Sequence, residues 1–98
     1  MKTLIATLTL MMALSLPAQA DDPYCNQISG LAEAMMSSRQ AGVSMAKAMK
    51  VTGDNDLFKA MMVDAYETAR YSVESNQQRK IEDFRDKWYL ACYKSLES

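Results

Sequence analysis

The chain has 98 residues, 49% hydrophobic and 23% charged, with net charge −1, two cysteines and no histidine. That length holds one small domain, and the near-balanced charge argues against the clustered positive surface of a nucleic-acid binder. It also gives no pull toward anionic lipid.

The chain opens on Met1-Lys2, and an uncharged run, mostly Leu, Ala, Met, Ile and Thr, follows from Thr3 to Leu16. Pro17-Ala18-Gln19-Ala20 is a small-x-small pattern directly before Asp21-Asp22. These are the three parts of a secretory signal, with cleavage expected after Ala20. The run of 14 residues falls short of the roughly 20 that a membrane span needs, so no stable anchor is expected after cleavage. Cys25 follows Asp21-Asp22-Pro23-Tyr24 rather than small apolar residues, which also argues against a lipid anchor. Removing residues 1–20, including Lys2, leaves one domain over 21–98, with 78 residues and net charge −2.

A core this small contributes only a few kcal/mol after entropy, so a covalent staple is expected. Cys25 and Cys92 are the only cysteines. In an exported chain they have a single intramolecular pairing, with intermolecular pairing as the alternative. Redox pairs sit close in sequence and metal sites need further ligands, so a structural disulfide is expected.

The first helix is predicted to begin at Asp22-Pro23, an N-cap followed by proline at the first helical position. Cys25, Ile28, Ala32, Met35 and Met36 recur at spacings of three and four, with Tyr24 and Leu31 widening the stripe. Gly30 inside this helix either costs helix stability or permits a close helix approach, and Gly42 is the predicted C-terminal cap. A short second helix is predicted over Ser44–Val51, with Met45, Ala48 and Met49 on its apolar face. Thr52-Gly53-Asp54-Asn55 reads as a turn that supplies caps for helix three. Asp54-Asn55-Asp56 also resembles the opening of a calcium loop, but Lys59 stands where that loop needs glycine.

Helix three carries Phe58, Met61, Met62, Ala65 and Ala69 at helical spacing, beside Leu57 and Tyr66. A break is predicted near Tyr71-Ser72-Val73, followed by a capping box at Ser75-Asn76-Gln77-Gln78. The last helix aligns Ile81, Phe84, Trp88, Cys92 and Leu96 on one face, with Ala91 adjoining. On its outer face Arg79–Asp83 and Asp83–Lys87 are spaced as i,i+4 ion pairs. No alternating strand pattern occurs. The predicted fold is all-α, a small bundle of three to four helices with one disulfide joining the first and last helices. Because both cysteines lie on apolar stripes, those two helices should run antiparallel.

Six methionines remain after residue 20: Met35, Met36, Met45, Met49, Met61 and Met62. They read as core filler or an adaptable groove. Met45 and Met49, one turn apart, also suggest a thioether site for Cu(I) or Ag(I). Tyr66, Glu67, Arg70 and Tyr71 form a candidate partner-binding cluster, since Tyr and Arg are enriched at interface hot spots. On a continuous helix Tyr66 and Arg70 would share a face. The alternative is that the tyrosines finish the core while Arg70 pairs with Glu67 or an acid on the last helix. No catalytic residue is identified: histidine is absent, no thiol stays free, and no serine has a nucleophile's setting. No cofactor and no metal are called for.

The segments Tyr24-Cys25-Asn26-Gln27-Ile28, Ala65-Tyr66-Glu67…Arg70-Tyr71 and Ile81…Asp83-Phe84-Arg85…Tyr89…Cys92 resemble small exported all-α proteins of Gram-negative bacteria and their prophages. That group has no assigned activity, so the resemblance implies export and a compact fold and carries no site. The architecture is also similar to that of periplasmic acid-stress chaperones, without a shared motif. The function expected is a non-enzymatic periplasmic or secreted module that binds another exported or envelope protein. The candidate surfaces are a Met-rich groove between helices two and three, or the Tyr66–Arg70–Tyr71 patch. An acid-stress chaperone is the alternative, and a Met-based Cu(I)/Ag(I) binder comes third.

Overall fold

The computed structural model describes residues 22–97; the export signal expected over residues 1–20 lies outside them. The described residues form α1 (Pro23–Ala41), α2 (Met45–Met49), a 3-10 turn (Lys50–Thr52), α3 (Asp56–Tyr66) and α4 (Glu74–Glu97), with no strand among them.

Local chemistry sets most boundaries. Asp22 caps α1, its carboxylate accepting from the backbone N–H of Tyr24 at 2.8 Å and Cys25 at 3.1 Å. Gly42 ends the helix at φ +88°, a left-handed conformation that favours glycine. Ser44 caps α2 and Asn55 caps α3, so Asp54-Asn55-Asp56 is a capping turn. The second helix is shorter than the predicted 44–51: it is α-helical only to Met49 and tightens into the 3-10 turn, where the Thr52 hydroxyl donates to the Met49 carbonyl at 2.7 Å.

Three local expectations are corrected. Helix α3 stops at Tyr66, leaving Ala69 outside it. The predicted capping box does not form, because α4 already begins at Glu74 and Ser75 lies within its first turn. The Val73 carbonyl accepts from the N–H groups of Asn76 and Gln77, and the Gln77 side chain bonds the Tyr71 carbonyl. Finally, Lys87 reaches Asp64 of α3 at 2.7 Å rather than Asp83. A half-buried acid on a neighbouring helix outcompetes an exposed one on the same helix.

Helix α1 is the spine against which α3 and α4 pack. Ala32 and Ala65 are fully buried, which lets α1 and α3 approach, and Met36, Met61 and Met62 fill the interior. Phe84 and Cys92 bring α4 onto the same core. The disulfide joins Cys25 to Cys92 with Cα atoms 5.6 Å apart, within bridging range. Cys25 lies in the first turn of α1 and Cys92 near the end of α4, and the Asp22 N–H donates to the Tyr89 hydroxyl at 3.3 Å. At the opposite end Gln40 and Gln77 both bond the Tyr71 backbone. Helices α1 and α4 are therefore antiparallel, as the cysteine positions predict. Leu96 departs from its expected place on the buried face and is 51% exposed. Cys92 already sits opposite the first turn of α1, so among the described residues no helix covers the last turn of α4.

Candidate functional site

The Tyr66–Arg70–Tyr71 cluster closes on itself. The last turn of α1 presents Arg39 and Gln40 to the non-helical segment that follows α3. Arg39 Nε donates to the Thr68 carbonyl at 2.9 Å, and Gln40 Nε2 donates to the Ala69 carbonyl at 2.9 Å. Gln40 Oε1 accepts from the Tyr71 N–H at 2.8 Å. These side chains satisfy backbone groups that another helical turn would have used, which accounts for the end of α3 at Tyr66 in a stretch without glycine or proline. Tyr66 and Arg70 consequently share no helix face.

Tyr66, Arg70 and Tyr71 each have an internal task. The Tyr66 hydroxyl donates to the Val43 carbonyl at 2.7 Å, tying α3 to the loop before α2, and the Arg39 guanidinium lies 5.4 Å from its ring centroid. Burial pushes the Tyr66 phenol above its ordinary range, partly opposed by the positive charge of Arg39. Among the described residues Arg70 pairs with neither Glu67 nor an acid of the last helix. Its Nε donates to the Gln40 carbonyl at 3.0 Å, and its guanidinium lies across Gly42. Lys80 stands 5.6 Å from the Tyr71 ring centroid. Glu67 is exposed at the C-terminus of α3. Gln40, 2% exposed, is the hub that sequence reasoning missed.

Four of the six methionines, Met35, Met36, Met61 and Met62, are core residues. Met49 is half-buried, with its sulfur 3.7 Å from the Thr52 hydroxyl, and Met45 is 38% exposed. Neither Met45 nor Met49 lines an apolar groove. The groove beside α2 is instead bounded by α1 and reaches Met35 and Met62.

Among the described residues, apolar grooves lie open at two places. The first, at the disulfide end, lies among Tyr24 and Ile28 of α1, Leu57 of α3, and Trp88, Ala91 and Cys92 of α4. Asp64 accepts from Trp88 Nε1 at 3.0 Å as well as from Lys87. The indole N–H is thus satisfied, and its ring is presented to the groove as apolar surface. The second groove lies between α1 and α2, with Met62 of α3 at its base.

The disulfide fits an oxidising compartment. Among the described residues no helix is long and apolar enough to cross a membrane. No protein-family model, no curated protein and no solved structure matches the chain.

Proposed function

We propose that this chain is a non-enzymatic exported protein that docks another exported or envelope protein in the periplasm, using the groove at the disulfide end. The observation that carries this reading is the end of α4. Residues Trp88, Tyr89, Leu90, Ala91, Cys92 and Tyr93 are consecutively apolar or aromatic, whereas a helix with only one covered side should alternate with polar residues. Leu90, Tyr93 and Leu96 stay 53%, 42% and 51% exposed. The groove-lining Trp88, Ala91 and Cys92 share this helix with them, and Trp88 and Tyr24 are of the types that anchor interfaces. Export rests on the charged start, apolar run and Ala18-Gln19-Ala20 pattern, together with the disulfide.

A photo-crosslinking side chain placed at Ala91 tests the docking in cells. The expected result is one periplasmic protein trapped at Ala91 and absent when the probe sits at the exposed Glu82. Equal labelling at both positions would remove the proposal. The mature mass tests export separately, because cleavage after Ala20 leaves Asp21 as the first residue.

The same exposed apolar residues support a second reading, protection of unfolding clients in acid. An aggregation assay at about pH 2 to 3, where carboxylates ordinarily protonate, decides it. No protection there removes that reading and leaves the docking one intact.

A further inference from the structure

We propose that the second groove binds a medium-chain fatty acid, its tail lying between α1 and α2 and its carboxylate meeting Lys47. This site shares no lining residue with the groove at the disulfide end, and the inference goes beyond the docking function.

The walls come from sequence spacing. Leu31, Ala34 and Ser38, three and four residues apart, form one side on α1, and Ala48 and Val51 form the other. Met35 and Met62 close the base. Leu31 is 36% exposed and Val51 77% exposed, so apolar surface stands open to water on both walls.

Chemistry selects the occupant. Most of the wall belongs to helices, whose backbone N–H and C=O groups are consumed within the helix. The groove therefore offers no free edge for pairing with an extended peptide. Among the described residues the only polar lining side chains are Ser38 and Lys47, and no aromatic ring lines the site. An unbranched alkyl chain needs no hydrogen-bond partners, and flexible thioether side chains such as Met35 and Met62 conform to it well. The groove measures about 250 Å³, somewhat below the ~300 Å³ at which small-molecule pockets usually start. That size suits a slim chain better than a ring system.

Charge fixes the head group. Lys47 is the one charged residue of the lining, it is exposed, and among the described residues no carboxylate pairs with it. An ammonium at the mouth of an apolar groove favours a carboxylate there. Helix α2, which carries Lys47, is five residues long and buries only Ala48.

Sodium decanoate, titrated below its micelle concentration into protein carrying ¹³C-methyl methionine, provides the test. Saturable shifts of the Met35 and Met62 methyl signals are expected. Lys47→Glu should weaken binding about tenfold, equivalent to about 1.4 kcal/mol, and Ala34→Trp should abolish it by filling the groove. Ala34 is exposed, so the second variant keeps its fold, checked by circular dichroism. Absence of saturable shifts would overturn the proposal. So would equal affinity for decyltrimethylammonium, which would mean detergent-like adsorption without charge selection. Shifts of the same methyls on raising protein concentration alone would overturn it in favour of a second copy of the chain.

Discussion

A single buried glutamine decides where α3 ends. Gln40 spends its amide oxygen on the Tyr71 N–H and its amide nitrogen on the Ala69 carbonyl, with the Met36 sulfur 3.6 Å away. Replacing it with Ala strands the Tyr71 N–H and the Ala69 carbonyl; Gln40 itself is 2% exposed, whereas Tyr71 is half-buried and Ala69 exposed. A fully buried stranded group costs roughly 1–3 kcal/mol, and water can reach the exposed Ala69, so Gln40→Ala should lower unfolding free energy by about 1–3 kcal/mol in urea titrations. A loss under about 0.5 kcal/mol, the range of an ordinary surface change, would show that water replaces both bonds. Nothing in the sequence marks Gln40 as buried, because its partners lie about thirty residues away in a segment without regular structure. Tyr66 and Arg70 misled for a related reason: the residue types that anchor interfaces also make good internal ties. Tyr66 leaves a pH signature. Its phenol is raised above the ordinary value of about 10, so the folded state holds this proton more tightly than the unfolded chain does. Its contribution is complete below about pH 10 and is lost as pH rises through the folded-state value. Tyr66→Phe, which also loses the bond to Val43, should be less stable than the parent at neutral pH. Its stability should fall less steeply between about pH 9 and 11. Parallel pH curves for the two proteins would contradict the assignment.

At the scale of elements, two glycines associated with α1 carry opposite costs. Gly30 is exposed in mid-helix, and a Cβ there would meet nothing within 4 Å. The close helix approach that its position allowed is not used by α3 or α4. Gly30→Ala should therefore stabilise the protein by about 0.5–1 kcal/mol, raising the urea midpoint without changing the slope. Gly42 sits at φ +88°, and a Cβ there would lie 2.9 Å from Arg70 Nη2. Gly42→Ala should destabilise by about 1 kcal/mol or more, through both backbone strain and the displaced guanidinium. A double-mutant cycle separates the two. In the Arg70→Ala background the alanine at position 42 should cost less, since only strain remains, and purely additive effects would show that the guanidinium moves aside freely. The helices themselves were legible because their signals are local. Asp22-Pro23, Gly42, Ser44 and Asn55 each act within four residues of where they stand. The start of α4 was not legible, since Gln78, the glutamine of the expected capping box, turns to Glu82 and Gln77 reaches a carbonyl six residues back.

For the whole molecule, the cysteine pair sets helix direction, stability and the shape of one groove together. Its spacing and its two apolar stripes made the antiparallel packing of α1 and α4 legible, whereas the overhang of α4 depended on where α1 starts relative to Cys92. A bridge with a sequence separation of 67 restricts the unfolded chain by about 4 kcal/mol on loop-closure entropy. Single domains carry only about 5–15 kcal/mol in total, and one this small sits toward the low end, so the bridge supplies a large share. The paired change Cys25→Ser and Cys92→Ser should lower unfolding free energy by roughly 3–5 kcal/mol. Trp88, the only tryptophan, reports the same event from inside the groove. Its indole bonds Asp64 across the α3–α4 gap, while Tyr24 and Cys92 line the groove beside it. Freed cysteine positions let the first turn of α1 separate from the end of α4, so Trp88 emission should shift to the red in the serine variant. If α1 and α4 are instead held mainly by Met36 and Phe84 near the other end, emission will not move and only the denaturant midpoint will fall. That outcome would assign the bridge to the unfolded state alone and leave the groove standing without it. A red shift with lost crosslinking at Ala91 would make the bridge a precondition of docking, so the site could assemble only where disulfides persist.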